Sequence, residues 1–382
     1  MDNIHIYPIF WSGGEAYFQF MKQMIDQAVY EIHLQTYIFD YDDTGKQILN
    51  ALVNAANRGV NVYLVIDAYG SSDFINDAEN ELKSSTIQVK MFSPSFFKDF
   101  GYAGRRLHHK ILCCDRKHTM VGGINISNKY RGYNTSEPWL DFGISFSNEI
   151  SKDIASFCTI IFDKVFEVRY LKKNSVFKKK DLVVLQNDWL RGKNQIFNFY
   201  IHEIKKAKKE IIIVGAYFLP GFRMRQALKN AANRGVNVSI ILTGISDVPL
   251  VRNATRFFYS FLFRHSIKVY EWKKSVLHGK VMLCDQQVLT VGSFNLNHLS
   301  QYGSLELNIA CSNYTTVLAA HHTLLKNIMD SVQIKKESII NPFLRFNLFI
   351  SFYLIRGMMI LAMLKPFFRK KSKQKKVKTI LL

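Results

Sequence analysis

The stretch LHHKILCCDRKHTMVGGIN, at Leu107–Asn125, decides the organisation of the chain because a second stretch repeats its pattern. The second copy, LHGKVMLCDQQVLTVGSFN, occupies Leu277–Asn295. Each copy contains His, one residue, Lys, four residues, Asp, six residues and then Gly-(Gly/Ser)-x-Asn. Four residues therefore recur 170 positions later, so that His108, Lys110, Asp115 and Asn125 correspond to His278, Lys280, Asp285 and Asn295. Two copies in one chain predict a single site built from both.

The regions around the two copies repeat as well. EIHLQTYIF at 31–39 and EIIIVGAYFL at 210–219 are both typical of buried strands, and AANRGVNV occurs at 55–62 and again at 231–238. Alternating strands and helices are typical of a parallel or mixed sheet. We therefore predict an α/β fold of two duplicated, mixed-sheet halves with one active site at their interface. The expected segments are a first half at 1–170, a basic linker at 171–182, a second half at 183–335 and a C-terminal segment at 342–382.

The composition favours an anionic partner and a reduced compartment. The 382 residues include 51 Lys and Arg against 30 Asp and Glu, a net charge of +21 that suits nucleic acid or acidic lipid. The five cysteines form no CxxC pair, and we expect them to be small buried hydrophobes in a protein that faces the cytosol. The opening residues MDNIHIYPIFWSGG resemble neither a signal peptide nor an N-terminal membrane anchor.

The C-terminal segment favours a membrane surface. Residues 343–364 are mostly apolar, and the tail at 365–382 carries eight Lys or Arg and no acid. Arg345 and Arg356 are eleven residues apart, so they lie nearly on one line of a helix. One cationic line on an apolar helix favours a position in the plane of the membrane interface, and a true span is the alternative. We expect a cell-membrane protein on the cytoplasmic side, either peripheral or inserted through its C-terminus.

Two other segments combine aromatic and cationic residues. They are SPSFFKDFGYAGRR at 93–106 and PLVRNATRFFYSFLFRH at 249–265. The second has its arginines and phenylalanines at helical spacing. This pattern suits a groove that faces lipid or one that faces nucleobases about equally.

The position of each motif residue along a strand predicts its role. Residues two apart share a face of a strand, so the His and the Lys of each copy point the same way. His109 points the opposite way, and we assign it no catalytic role. Asp115 and Asp285 have the wrong parity to lie beside their histidines. We expect them at the end of the strand, fixing the turn or a neighbouring backbone, and we count them with His108, Lys110, His278 and Lys280 in the catalytic set of the two motifs.

The two copies together supply the groups that phosphodiester chemistry needs. The two lysines, with Asn125, Asn295 and Ser293, can hold the anionic oxygens and stabilise charge in the transition state. One histidine can attack phosphorus to form a phosphohistidine, while the other protonates the leaving alcohol and deprotonates the incoming one. A zinc site is disfavoured because each copy has one His beside a cationic Lys. We expect no metal and no other cofactor.

Each of these imidazoles needs a carboxylate to fix its tautomer. Asp141 in WLDFGI and Glu306 in SLELNIA both begin apolar strands that follow the motif of their own half. We therefore expect each to serve the histidine of its own half. Asp141 lies 33 residues after its histidine and Glu306 only 28 after its own, so Glu137, at 29, is an alternative in the first half.

The doubled HxK(x)4D(x)6G(G/S)xN pattern resembles the signature of the phospholipase D superfamily. The chain is most similar to bacterial cardiolipin synthases of the form without N-terminal membrane helices, through AANRGVNVYLVIDAYGS, HHKILCCD and the long run VYEWKKSVLHGKVMLCDQQVLTVGSFNLNHLSQYGSLELNIA. The resemblance implies transfer of a phosphatidyl group from one phospholipid, through an enzyme histidine, to the hydroxyl of phosphatidylglycerol. By motif position it implies that His108 is the nucleophile and that His278 is the acid and base. The first copy departs from the second in having Gly123 where Ser293 stands.

Three other functions are weighed against this one. A phospholipase D would pass the phosphatidyl group to water, and the motifs do not separate hydrolysis from transfer. A nuclease would use the basic surface on nucleic acid, but it has no use for a long apolar C-terminal segment. A non-catalytic lipid-binding scaffold is disfavoured because both motif copies are intact. We therefore expect phosphatidylglycerol, other anionic phospholipids and a membrane surface as partners, and no nucleic acid.

Overall fold

Two α/β halves make up the molecule. The computed structural model describes residues 7–92, 105–133, 136–163, 177–188, 192–335 and 342–364, so most of segment 93–106 and the basic tail lie outside the described residues. The elements of the first half are β1 (Ile9–Trp11), α1 (Gly14–Asp26), β2 (Glu31–Thr36), α2 (Asp43–Asn57), β3 (Asn61–Asp67), α3 (Phe74–Asp77), α4 (Glu79–Lys83), β4 (Gln88–Phe92), β5 (Arg106–Leu107), β6 (Lys110–Cys114), β7 (His118–Gly122), α5 (Asn128–Arg131), β8 (Gly143–Ser147) and α6 (Ile150–Asp163).

Within the described residues, the second half repeats most of this order, without a counterpart of β5, and adds three short strands and a C-terminal helix. Its elements are β9 (Phe177–Lys179), β10 (Leu182–Asp188), β11 (Lys193–Asn194), α7 (Gln195–Lys206), β12 (Glu210–Gly215), α8 (Phe222–Asn233), β13 (Asn237–Ile245), α9 (Pro249–Arg256), α10 (Tyr259–Arg264), β14 (Lys268–Val276), β15 (Lys280–Cys284), β16 (Val288–Gly292), α11 (His298–Tyr302), β17 (Ser304–Cys311), α12 (Tyr314–Met329), β18 (Val332–Ile334) and α13 (Pro342–Leu364). Strand β9 begins inside the expected linker 171–182 and pairs with β10.

Both sheets are mixed and have the same strand order. The first sheet is β1-β8-β7-β6-β2-β3-β4, and the second contains the equivalent order β10-β17-β16-β15-β12-β13-β14. Strands β2 and β12 each pair in parallel with the next long strand, β3 or β13, and antiparallel with the motif strand, β6 or β15. The prediction of an α/β fold with two duplicated mixed-sheet halves is confirmed.

The repeated octapeptide ends equivalent helices. Helices α2 and α8 end at Asn57 and Asn233, two residues before glycines with positive φ, 88° at Gly59 and 86° at Gly235. Glycine adopts this left-handed conformation without a steric penalty, so it ends the helix and directs the chain into the next strand. The same local solution therefore positions β3 and β13.

The two halves exchange short pieces of backbone. Strand β5, directly before His108, pairs in parallel with the start of β17, so that Leu107 lies opposite Leu305. In the reciprocal contact Leu140 forms a parallel bridge with Leu277. One apolar core extends through both halves around these contacts, and it includes Phe142, Val214 and all of Leu107, Leu140, Leu277 and Leu305. The interface is therefore continuous with the interior of the protein.

The cysteines lie in the interior of the protein, and the C-terminal apolar segment is a helix. All five cysteines are free and buried, as expected: Cys113, Cys114, Cys158, Cys284 and Cys311. The apolar segment forms α13, whose Leu348 and Ile355 are buried while Phe346 and Leu354 are exposed. None of the described helices combines the length and the apolar character that crossing a membrane requires.

Candidate active site

The backbone exchange brings each histidine to the carboxylate of the other half. The amide of His108 donates to the carbonyl of Leu305, and the amide of His278 donates to the carbonyl of Leu140. The next residues along those partner strands are Glu306 and Asp141, so they lie beside the imidazoles. The expectation that each carboxylate serves its own half is therefore wrong. Sequence spacing did not predict the exchange because the contact joins residues far apart in the chain.

His108 forms one of the two crossed pairs. Its Nδ1 lies 2.9 Å from Oε2 of Glu306, which is fully buried. The Ser293 hydroxyl donates to the same Oε2 and accepts a hydrogen bond from the amide of Leu307 at 3.1 Å. Ser293, which we expected on the substrate, thus holds Glu306. Because Nδ1 is engaged by the carboxylate, the Nε2 atom of His108 is the nitrogen left for chemistry.

His278 forms the other crossed pair. Its Nδ1 lies 2.6 Å from Oδ2 of Asp141, a buried residue whose Oδ1 accepts from the amide of Phe142. A Cβ atom on Gly123 would lie only 2.3 Å from Oδ1 of Asp141. The first copy therefore has glycine at this position because the carboxylate occupies the space of a side chain. Glu137, the alternative partner, is exposed.

The two lysines place positive charge from both halves at one site. Lys110 and Lys280 are buried, and each ammonium donates to the backbone carbonyl of the histidine two residues earlier. Burial, followed by the charge of Lys280, lowers the pKa of Lys110 to about 7. Burial also lowers the pKa of Lys280, against the carboxylates of Asp141 and Glu306, which raise it. The motifs thus interact electrostatically across the interface.

The same cross-interaction acts on the histidines. Burial lowers the pKa of His108, Glu306 raises it, and both Lys110 and Lys280 lower it. Burial and then Lys280 lower the pKa of His278, while Asp141 raises it. Both imidazoles are therefore biased toward the neutral form until an anion binds. A neutral imidazole can attack or accept a proton, and a bound phosphate can favour its protonation.

The motif aspartates lie at the far ends of their strands and fix the backbone. The Asp285 carboxylate accepts from the amides of Lys208, Lys209 and Glu210, at 2.8, 2.8 and 2.9 Å. Asp115 makes the equivalent contacts with the amides of Val29, Tyr30 and Glu31. Both aspartates have positive φ, 53° at Asp115 and 52° at Asp285. They join the motif strand to the start of the neighbouring strand, and they do not contact the histidines.

The two motif asparagines differ in what they contact. Oδ1 of Asn125 accepts from the amide of Ile38, and Nδ2 donates to the Tyr130 hydroxyl at 2.8 Å. That hydroxyl lies 3.4 Å from Nδ1 of His278, so Asn125 acts on the other half through Tyr130. Oδ1 of Asn295 is buried and has no hydrogen-bond partner within the described residues. This oxygen can accept a hydrogen bond from a ligand, and the Nδ2 group of the same amide can donate one to a phosphate oxygen.

Aromatic side chains enclose both imidazoles, and the sequence reasoning missed them. The Tyr37 ring lies 5.2 Å from that of His108, while Tyr130, Trp139 and Tyr217 lie 5.3, 6.1 and 6.1 Å from that of His278. Tyr37 and Tyr217 follow the equivalent strands β2 and β12, and this repeated position was the signal in the sequence that could have found them. The rings exclude water from the histidines on these sides.

The residue between the His and the Lys of each motif, His109 or Gly279, does not take part in the site. Nε2 of His109 lies 2.8 Å from Oε1 of Gln35 inside the first half, as parity predicted. Its counterpart Gly279 lies against Phe142, and a Cβ there would come within 2.6 Å of that ring. The glycine therefore permits the close approach of the two halves.

Comparisons with known proteins agree with this geometry. The family model described as "Cardiolipin synthase, PLD-like domain" matches residues 21–137 and 200–328. Cardiolipin synthase B of Escherichia coli K12 is 32% identical over 315 residues, covering 78% of this chain and 74% of the relative. A cardiolipin synthase of Clostridium perfringens SM101 is 29% identical over 350 residues, covering 85% and 71%.

A solved structure shows the same fold at much lower identity. Phosphatidylserine synthase of Haemophilus influenzae Rd KW20 superposes with a TM-score of 0.72 and 13% identity, covering 93% of this chain and 95% of the other. The duplicated α/β halves and the matched family model agree. The chain is an enzyme of the phospholipase D superfamily and belongs to its cardiolipin synthase family.

Proposed function

We propose that the chain makes cardiolipin by moving a phosphatidyl group from one phospholipid to the hydroxyl of phosphatidylglycerol. The observation that carries this proposal is the pair of crossed His–carboxylate contacts, with both lysines buried beside them. A site with two oriented imidazoles suits a double displacement, because one can hold phosphorus while the other moves protons. The names of the similar synthases support phospholipids as the substrates.

In the first step His108 is the nucleophile. Nε2 attacks phosphorus of the donor phospholipid, a P–N bond forms and the P–O bond to the leaving alcohol breaks. Glu306 accepts the Nδ1–H hydrogen bond and stabilises the charge that the ring acquires. His278, protonated in the complex with the anionic substrate, gives its Nε2 proton to the leaving alkoxide.

In the second step the roles reverse. Neutral His278 takes the proton from the hydroxyl of phosphatidylglycerol, whose oxygen attacks phosphorus as the P–N bond breaks. Lys110, Lys280 and the amide of Asn295 stabilise the negative oxygens on phosphorus in both steps. When the donor is also phosphatidylglycerol, glycerol is the alcohol released and cardiolipin is the product.

Phospholipid substrates require a membrane surface, and we propose that the protein acts at the cytoplasmic face of the cell membrane. Helix α13 supports this location because it exposes Phe346, Ile350 and Leu354, with 63%, 41% and 51% of their surface accessible. An exposed apolar face and a basic tail are typical of a helix that lies in an anionic membrane interface. We therefore propose peripheral attachment through this segment.

The test uses purified full-length protein, vesicles that contain labelled phosphatidylglycerol, and separation of the products by thin-layer chromatography. Cardiolipin and glycerol support the proposal, and phosphatidic acid indicates hydrolysis. The absence of all these products with folded protein contradicts lipid chemistry. The His108→Ala and His278→Ala variants should each give no product. His202→Ala is the matched control, because His202 is 70% exposed and lies outside the site.

A further inference from the structure

A cavity between α8, α9, α10 and α13 of the second half lies outside the catalytic site. It has a volume of about 410 Å³ and is lined by cationic and aromatic side chains from these four helices. Arg225, Arg264 and Arg356 supply the charge, and Phe257, Phe261 and Phe352 supply much of the apolar wall. This size and lining suit part of a phospholipid, namely a phosphate with the upper part of its acyl chains.

The charge of the cavity is not compensated within the described residues. Arg256 forms a bidentate pair with Glu271 at 2.9 Å, so that arginine is neutralised. By contrast, no carboxylate of the described chain forms an ion pair with Arg225, Arg264 or Arg356. Burial and the nearby charge of Arg356 lower the pKa of Arg225. Like charges held together in this way favour a bound anion.

His298 lies beside the arginines of the cavity. Burial, followed by the charges of Arg356 and Arg225, lowers the pKa of its imidazole. A Cβ on Gly221, at the start of α8, would lie 3.4 Å from the His298 ring, so the ring packs against that helix start. Three cationic or ionisable groups from α8, α11 and α13 therefore converge on one place.

The apolar wall distinguishes a lipid from a soluble anion. Phe257 stacks on Phe352 with ring centroids 4.6 Å apart, and Phe258 meets Phe352 edge-on at 5.2 Å. The guanidinium of Arg225 lies over the Phe258 ring, 5.4 Å from the ring centroid. These rings pack against one another, so their faces are not presented for stacking on nucleobases. The exposed apolar residues of α13 lie on the same helix as Arg356, which places the cavity at the surface we propose for the membrane.

We propose that this cavity is a second phospholipid site, in which Arg225 and Arg356 bind the phosphate of an anionic lipid and the phenylalanine wall receives its acyl chains. The site borders the catalytic centre, because Tyr217 packs in the same apolar cluster and its ring lies 6.1 Å from that of His278. The proposal rests on the proposed function only for the choice of phosphatidylglycerol as the lipid.

Equilibrium binding to vesicles tests the proposal without turnover. The full-length His108→Ala protein is mixed with vesicles of phosphatidylcholine alone or with phosphatidylglycerol added, and the bound fraction is measured by flotation. Adding Arg225→Gln and Arg356→Gln should weaken binding to the phosphatidylglycerol vesicles at least tenfold and leave binding to phosphatidylcholine unchanged. Lys205→Gln with Lys326→Gln removes the same charge from exposed positions on α7 and α12 and should have a much smaller effect.

Three results would overturn the proposal. They are an unchanged affinity in the arginine variant, an equal loss in the lysine control, and an equal loss on both vesicle types. Circular dichroism and a thermal melt establish that the variants are folded.

A phosphatidylglycerol with a photoactivatable acyl chain gives an independent readout in the unsubstituted cavity. The probe should label α10 or α13, and inorganic phosphate should not prevent this labelling. If inorganic phosphate abolishes the labelling, the cavity is a site for soluble anions. Because none of these readouts needs catalysis, failure of cardiolipin synthesis would leave them interpretable.

Discussion

His108 in the first half and Glu306 in the second are joined by a hydrogen bond of 2.9 Å although 198 residues separate them in the chain. His278 and Asp141 form the reciprocal pair at 2.6 Å. A carboxylate that orients a catalytic imidazole and stabilises its charged form contributes to the rate in the same way whichever half supplies it. Because the contacts cross between the halves, neither half alone contains a catalytic histidine together with its carboxylate partner.

The crossed pairs predict which imidazole responds to each carboxylate. Glu306→Gln should lower the pKa of His108, because Glu306 raises it, and Asp141→Asn should lower that of His278 for the same reason. Each substitution should also reduce turnover by about 10²- to 10⁴-fold. Imidazole NMR titration, assigned with the single histidine variants, measures the effect. A Glu306→Gln variant that changes only the His278 titration contradicts the crossed pairing.

Lys110 predicts a pH dependence for anion binding. Its pKa of about 7 means that the ammonium is charged below pH 7 and loses its charge as the pH rises. The affinity for an unreactive phosphonate analogue of the lipid should therefore be highest below pH 7 and fall by up to about tenfold per pH unit above it. Lys110→Arg should make this fall shallower, since arginine stays charged, and the exposed control Lys326→Arg should leave it unchanged. A pH-independent affinity in the wild type would show that Lys110 does not bind the anion.

Gly123 should tolerate no side chain while Asp141 holds its present position. A Cβ there would lie 2.3 Å from Oδ1 of Asp141, so Gly123→Ala must displace the carboxylate from His278. We expect turnover to fall about 10²-fold or more. Gly215→Ala is the control, because its nearest contacts would be at an ordinary 3.5 Å. Combining Gly123→Ser with Asp141→Glu copies the Ser293–Glu306 pair and should recover part of the loss. Full activity of Gly123→Ala would refute the steric argument.

Asp285 should support stability and not chemistry. Burial tends to raise its pKa, but three backbone amides outweigh burial and leave the pKa lowered. A lowered pKa in the folded state stabilises the fold above the unfolded pKa of about 3.9, and this contribution is lost as the pH falls through the folded value. Asp285→Asn should cost about 1–3 kcal/mol in urea unfolding at pH 7 and less at pH 3. Turnover per folded molecule should change little, and a large loss without destabilisation would point to a catalytic role.

The exposed face of α13 should bind the membrane. Serine at Phe346, Ile350 and Leu354 removes apolar surface without touching the buried Leu348 and Ile355, so cosedimentation with vesicles should fall about tenfold or more. The matched control places serine at Tyr314, Leu325 and Met329, exposed apolar residues of α12. Deleting 342–382 should also move the protein to the soluble fraction, but that deletion uncovers Val251 and Phe258, which pack in the same cluster as Ile355. Equal losses in both serine variants would show that α13 is not a specific contact.

The repeat in the sequence was sufficient for the fold and for the two His-x-Lys pairs. Strand parity correctly separated His109 and the motif aspartates from the histidine pairs, because it depends only on local backbone geometry. Parity and spacing say nothing about contacts between distant segments, so the exchange at Leu107 and Leu140 was not predicted. For the same reason Ser293 was expected on the substrate although it holds Glu306. The aromatic enclosure was missed because strand-end tyrosines are common in cores.

The exchange of backbone between the halves is the contact expected if the chain arose by fusion of two identical subunits. If the two halves were separate, identical polypeptides, the Leu107–Leu305 and Leu140–Leu277 contacts would be one contact and its copy about a two-fold axis. Such an isologous dimer would place two equal histidines on opposite sides of the axis. Fusion into one polypeptide removes the requirement that they stay equal. The pairs Gly123 with Asp141 and Ser293 with Glu306 are where that freedom has been used. An enzyme that must treat a donor and an acceptor differently gains by losing its symmetry.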